Sequence, residues 1–178
     1  MRAKLSLFND EVIIIYTGRI NYEKNPGVIL EACKSFANDL KLHFLFIGRI
    51  SANYHNHFKF ISKNLKVTIL PPVPNKELQK YYNASDIACW PKFTSLSAIE
   101  AASCGLPIII SKMVKERVAF GNGIAIEDEN LLEIADAIRT LAQNNPLRKK
   151  MGILGRKLIE NKYSYTLISQ KFIDLYKY

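Results

Sequence analysis

Five short runs of apolar side chains, each closed by glycine, proline or a polar turn, decide what this chain can become. They are EVIIIYTG (11–18), LHFLFIG (42–48), VTIL (67–70), DIACW (86–90) and LPIII (106–110), with GIAI (123–126) a sixth. A strand with one wet face alternates apolar and polar residues; these runs do not, so both of their faces must be covered. Helix-length segments separate them. Asn25-Pro26 offers an N-cap and a proline at the first helical position before VILEACKSFAND. Residues 53–65 carry Phe58, Ile61 and Leu65 on one stripe, and Asn75 is placed to cap KELQKYYNA. A helix from about Ser97 to Ser103 is stopped by Gly105 and Pro107, and further helices are expected near 131–143, 146–161 and 165–176. The alternation implies an α/β fold: a Rossmann-like parallel sheet of about six strands with helices on both faces, in one domain over residues 1–178. Crossovers should be right-handed, and ligands should gather beyond the carboxyl ends of the strands. The last two helices have no strand between them and should pack outside the sheet.

With 48% hydrophobic and 23% charged residues, the chain reads as an ordinary globular protein. No apolar run approaches the roughly 20 residues of a membrane span. The opening Met-Arg-Ala-Lys has no apolar secretory stretch, so a cytoplasmic location is expected. Cys33, Cys89 and Cys104 are far apart in apolar surroundings, without a C-x-x-C pair or histidine partners, and read as buried, inert thiols. The net charge of +9 draws anions but does not choose among nucleic acid, anionic lipid and phosphorylated ligands. No RNA-recognition signature of aromatics and glycine is present, so nucleic acid is not the expected partner.

The loops after the first, second and fourth strands are where chemistry is expected. After the first come Gly18, Arg19 and Lys24, beside a helix start. Two cations at the positive end of a helix can seat a phosphate or diphosphate, or can be loop charges in water; position alone does not choose. After the fourth strand comes WPKFTSLSAIEAASCGLP (90–107). Its loop, Lys92 to Leu96, leads into a helix whose first amides point outward, and Ala101, Ala102, Ser103 and Gly105 let that helix lie close to the sheet. Ser97-x-x-Glu100 has the form of a capping box, which on local grammar alone accounts for Glu100.

In this order the segments resemble the nucleotide-sugar-binding, C-terminal half of a GT-B glycosyltransferase of the large retaining group called family 4. TGRINYEKNPGVILEACKSF resembles its "GR…K" opening, LHFLFIG its second strand, ELQKYYNASDIACWP its "L…Y..aD…P" segment and SLSAIEAASCGLPIII its "EA.ACG.P" signature. GNGIAIEDENLLEIADAI and NKYSYTLISQKFIDLY resemble the later motif and the closing helix. The resemblance implies that Arg19 and Lys24, following Gly18, hold the diphosphate of a nucleoside-diphosphate sugar, UDP- or GDP-linked, and stabilise the leaving group. Backbone amides around Ser95, Leu96 and Ser97 would touch phosphate. Glu100 would accept hydrogen bonds from the ribose diol, and the base would lie by Pro72 and Val73. It further implies transfer with retention to a glycan or lipid-linked acceptor, no cofactor beyond the donor and no metal, in keeping with the lack of an Asp-x-Asp.

Two departures stand out. The family pattern Glu-x7-Glu places its second acid on Glu100 and its first on Lys92, and Phe93, Thr94 and Ser95 replace the usual small, Gly-containing run. A lysine cannot accept a hydrogen bond. Lys92 therefore implies a donor sugar read differently, such as one carrying negative charge, or an acid supplied elsewhere in the loop or by another domain, or binding without efficient transfer. The second departure is size: the resemblance implies an N-terminal acceptor domain that this chain does not contain, and the apolar side of the last helix would pack on it. His43, His55 and His57 fill no catalytic role on this reading. The basic surface is compatible with work at the inner face of an anionic membrane and equally with simple solubility. A non-catalytic nucleotide-sugar-binding subunit, an epimerase-like enzyme and a nucleic-acid-binding basic face are the alternatives.

Overall fold

The computed structural model describes residues 1–92 and 96–176. Six strands, β1 (Val12–Thr17), β2 (Leu42–Ile47), β3 (Val67–Leu70), β4 (Ile87–Trp90), β5 (Ile108–Ser111) and β6 (Gly123–Ile126), form one parallel sheet in the order β3-β2-β1-β4-β5-β6. β1 is in register with β2 from Val12↔Leu42 to Thr17↔Ile47, and on its other side with β4 at Ile14↔Ile87 and Ile15↔Ala88. The chain steps outward from β1 in both directions, so β1 and β4 flank the topological switch point, where a crevice opens beyond the carboxyl ends of the strands.

The central runs are buried on both faces, as their composition requires: all of β2, β4 and β5, and all of β1 after Val12, are buried. The two edge strands depart from that expectation: β3 has no buried residue and leaves Ile69 exposed, and β6 buries only Ile126, because each has a neighbouring strand on one side alone. Among the described residues there are seven α-helices: α1 (Val28–Cys33), α2 (Ala52–Ile61), α3 (Asn75–Tyr82), α4 (Leu96–Ser103), α5 (Leu131–Gln143), α6 (Asn145–Leu158) and α7 (Tyr165–Leu175), the last packed on the turn before it. Their inward stripes are Tyr54, Phe58 and Ile61 of α2, Ala98, Ala101 and Ala102 of α4, and Ile134, Ala137, Ile138 and Leu141 of α5. Each large aliphatic residue so buried contributes about 1.5–3 kcal/mol. The alanines of α4 are small for a different reason: they let the helix lie close to the sheet.

Several local expectations fail for identifiable reasons. The helix expected after Pro26 begins at Val28 with Gly27 in the cap position, because Asn25 takes a positive φ of 36° and its side chain is engaged elsewhere. α1 ends at Cys33, and the remaining VILEACKSFAND residues form turns that still bury Phe36 and Ala37. α2 stops at Ile61, not near Leu65, with Asn64 left-handed at φ 66° three residues on. Asn75 is the first residue of α3, not its cap; Pro74 holds that position. A 3-10 segment (Lys112–Val118) and a π turn (Ile159–Tyr163) between α6 and α7 had no sequence signal. α7 leaves Phe172, Ile173 and Leu175 exposed.

Asn130 and Asn144 cap α5 and α6; Asn130 Oδ1 accepts from the amides of Leu132 and Glu133 at 3.1 and 3.2 Å. Asn130→Ala is expected to cost about 1 kcal/mol, lowering the melting temperature by about 2–4 °C in a thermal unfolding scan. Cys33 and Cys89 are buried and Cys104 partly so; all three are free, and burial pushes each thiol up in pKa, in line with inert thiols. No helix among the described residues is long and apolar enough to cross a membrane.

Candidate functional site

The carboxyl ends of β1 and β2 are pressed together at two glycines. Gly18 takes φ +141°, a conformation open to glycine, and its carbonyl oxygen would lie 1.8 Å from a Cβ added at Gly48. This close approach launches the loop carrying Arg19 and Lys24. Tyr16 fixes that loop by donating its hydroxyl to the Arg19 carbonyl at 2.8 Å. Burial drives the Tyr16 phenol far up in pKa, so it remains a donor. The Arg19 side chain is exposed and pairs with Glu23 at 3.3 Å; Lys24 lies 3.7 Å from the same carboxylate. Both cations therefore share an acid that sequence reasoning passed over, although it stands between them in Tyr22-Glu23-Lys24.

Across the switch point, β1 is tied to β4 and α3. Trp90 donates its indole N–H to the Thr17 carbonyl at 3.0 Å, and Thr17 Oγ1 lies 2.9 Å from the Tyr82 hydroxyl. Burial pushes the pKa of that hydroxyl up to about 12. Ser97 is the second residue of α4, inside the helix and not before it, so it does not hold the cap position that the expected box requires. Glu100 instead accepts from Asn75 Nδ2 at 2.7 Å, across to the first turn of α3. The local grammar favoured a cap for both Asn75 and Glu100, and a tertiary hydrogen bond takes both side chains. Glu100 lines two cavities: one of about 300 Å³ with Asn75, Lys76, Gln79 and Tyr82, and one of about 370 Å³ with Leu96, Ile99, Tyr163 and Ile168. Arg19, Lys24 and Lys92 are in the wall of neither. Val73, in the β3–α3 loop, is partly buried against the core, and Leu96 is exposed at the first position of α4. Ser95 lies outside the described residues.

Lys92 pairs with Glu129 Oε2 at 3.0 Å. Glu129 sits in the β6–α5 loop, and its other oxygen accepts from Asn25 Nδ2 at 2.7 Å. Asn25 Oδ1 accepts in turn from the Tyr54 hydroxyl at 2.7 Å, and that hydroxyl accepts from the Gly27 amide at 3.1 Å. The chain of donors thus runs from Gly27 through Tyr54 and Asn25 into Glu129. Burial pushes the Glu129 carboxyl up, but the hydrogen bonds from Asn25 and Lys92 and the lysine's charge outweigh it, holding the group below its usual range. Sequence reasoning missed Glu129; its partners are 104 and 37 positions away. His43 lies at the other end of the sheet, His55 is exposed on α2, and His57 stacks on Tyr22 at 5.7 Å between ring centres.

This is a Rossmann-like domain with loops bearing cations, a polar cluster and an acid gathered at one end of its sheet. The chain belongs to the glycosyl transferases group 1 family, which it matches over residues 1–158. It is 26% identical over 152 residues to D-inositol 3-phosphate glycosyltransferase of Pseudarthrobacter chlorophenolicus, covering 78% of this chain and 36% of that one. Its fold is shared with sucrose-phosphate synthase of Thermosynechococcus elongatus (TM-score 0.87, 22% identity, 99% of this chain and 47% of that one). It is shared too with the C-terminal domain of a glycosyl transferase group 1 family protein of Francisella tularensis (TM-score 0.77, 21% identity, 92% and 91%). The chain spans less than half the length of the curated relatives it matches.

Proposed function

We propose that this chain is the donor-binding part of a glycosyltransferase that moves a sugar, with retention, from a nucleoside-diphosphate sugar to a glycan or lipid-linked acceptor. The observation that carries the reading is Glu100. Its carboxylate stands past the carboxyl end of β4, half-buried at the wall of two cavities, with Oε1 engaged by Asn75. A carboxylate offers about four lone-pair sites, so it can take the vicinal hydroxyls of a ribose while keeping Asn75. Arg19 and Lys24 stand at the carboxyl end of β1, on the other side of the switch point, and α4 starts at the end of the β4 loop. An entering diphosphate would compete with Glu23 for both cations, and its two charges outbid one carboxylate. In the transfer step the same cations would stabilise the negative charge growing on the departing nucleoside diphosphate. No metal enters this account, and an N-terminal acceptor domain completes the cleft.

The test is a thermal shift screen over UDP, GDP and ADP. One of them at about 100 times its Kd should raise the melting temperature by about 5–10 °C. Glu100→Ala should remove most of that shift while leaving the unliganded melting temperature within about 2 °C, since a half-exposed polar contact is lost. No shift with any of the three at millimolar concentration would count decisively against donor binding. Lys92 supports a second reading, binding without transfer; product formation from a donor after the acceptor half is supplied separates the two.

A further inference from the structure

We infer that Glu129 is a positioning residue of the donor site, locking the β1–α1 loop to the loop after β4 and aiming the Lys92 ammonium at the sugar end of the bound donor. The inference rests on the donor-binding reading above and names the residue that sets how the sugar is read.

Four observations converge on it. Glu129 has φ +58°, a left-handed conformation that glycine adopts freely and a glutamate does not. A side chain kept at such a position needs a compensating role. Its carboxylate supplies one, since each oxygen serves a different loop: Oε1 takes Asn25 and Oε2 takes Lys92. The backbone is enlisted as well, the Glu129 amide donating to the Pro91 carbonyl at 3.0 Å, one residue before Lys92. Finally, Asn25 is itself left-handed and is held by Tyr54, so the network reaches the buried face of α2 and is not a chance meeting of surface charges. Lys92 and Glu129 side chains are 26% and 33% exposed, which keeps their attraction above that of a fully solvated pair. The cation at position 92 is thus held by a carboxylate, and that acid comes from the β6–α5 loop.

Glycine at position 129 gives an unusually clean experiment, because it suits the backbone. The test compares the parent chain, Glu129→Gly and Glu129→Gln for binding of UDP against UDP-glucose and GDP against GDP-mannose by calorimetry, with melting temperatures alongside. Glu129→Gly relieves the left-handed backbone but releases both loops, so it should melt near the parent temperature, and its ratio of sugar-nucleotide to nucleotide affinity should fall about tenfold, the size of one lost charge-assisted contact. Glu129→Gln keeps length and an acceptor for Asn25 and should fall between, at about threefold. If the ratio of sugar-nucleotide to nucleotide affinity stays at the parent value in both variants, the positioning role is wrong while donor binding stands. If the parent chain binds none of the four, donor binding fails and the inference with it. Should Glu129→Gly unfold, a purely structural role is indicated, and an unchanged ratio in Glu129→Gln overturns the inference.

Discussion

Gly48→Ala should lower the stability of this protein by about 3 kcal/mol or more and weaken nucleotide binding together with it. The added methyl would sit 1.8 Å from the Gly18 carbonyl oxygen and 2.9 Å from its carbonyl carbon, both backbone atoms with no rotamer to move. Relief requires β1 and β2 to separate where they are paired at Thr17↔Ile47 and where the Gly18 amide donates to the Ile47 carbonyl at 3.0 Å. Those same residues launch the Arg19–Lys24 loop, so strain relieved there is delivered to the loop that faces the diphosphate. For a chain of this length the cost corresponds to about 6–12 °C in melting temperature. A variant melting within about 2 °C of the parent and binding nucleotide normally would show that the strands part without consequence, and the close approach would lose its meaning. Asn130→Ala differs in kind, because it orphans two amides at the start of α5 and leaves the Gly18–Gly48 approach untouched, so its smaller cost carries no strain into β1 and β2.

The framework of the fold was legible because apolar periodicity is a local property. Ile13, Ile14 and Ile15, like Phe44, Leu45 and Phe46, cannot face water on either side, and the structure buries all six. Gly18 and Gly48 marked strand ends for two physical reasons: Gly18 takes a positive φ, and at Gly48 the Gly18 carbonyl leaves no room for a side chain. Site side chains were less legible, since polar groups choose partners by space and not by sequence distance. Asn25 and Asn75 have the local form of N-caps, yet Asn25 serves Glu129 and Asn75 serves Glu100. The Ser97-x-x-Glu100 box was a sound local expectation that failed because α4 already includes Leu96 before Ser97 and Glu100 is taken by Asn75 on α3. Glu129 sits in an Asp-Glu-Asn turn that reads as solvated, and only folding brings it to Lys92. Nothing in 127–130 hints at a left-handed glutamate.

Glu11, at the amino end of β1, sets up the largest expected pH effect, and it lies at the end of the sheet opposite the site. Its side chain is 2% exposed; Oε1 takes Lys66 at 2.6 Å, and Oε2 takes the Phe8 amide at 3.0 Å and lies 3.3 Å from His43 Nδ1. His43 Nε2 faces Thr68 at 2.8 Å, so Nδ1–H donates to the carboxylate and Nε2 accepts from the hydroxyl. Burial raises the Glu11 carboxyl, but Lys66, the Phe8 amide and His43 prevail and hold it below 4.5. Burial holds His43 below 6.5 despite the pull of Glu11. Both folded values lie below the unfolded ones, so in each window the unfolded chain binds more protons and stability is lost as the pH drops. The His43 limb begins as pH drops past 6.5, and the Glu11 limb begins as it drops past 4.5. Glu11→Gln should cost about 2 kcal/mol at neutral pH, because Lys66 and the Phe8 amide lose a charged acceptor in a nearly closed site. It should also flatten the limb below 4.5 while leaving the fall below 6.5 in place; His43→Gln should do the reverse. Urea midpoints at about pH 7, 5.5 and 4 separate the two limbs. Equal acid sensitivity in parent and Glu11→Gln below 4.5 would exclude this carboxylate as its source. Because the cluster and the donor loops lie at opposite ends of β1, both variants should bind nucleotide normally wherever they remain folded, which separates the acid response of the fold from the chemistry of the site.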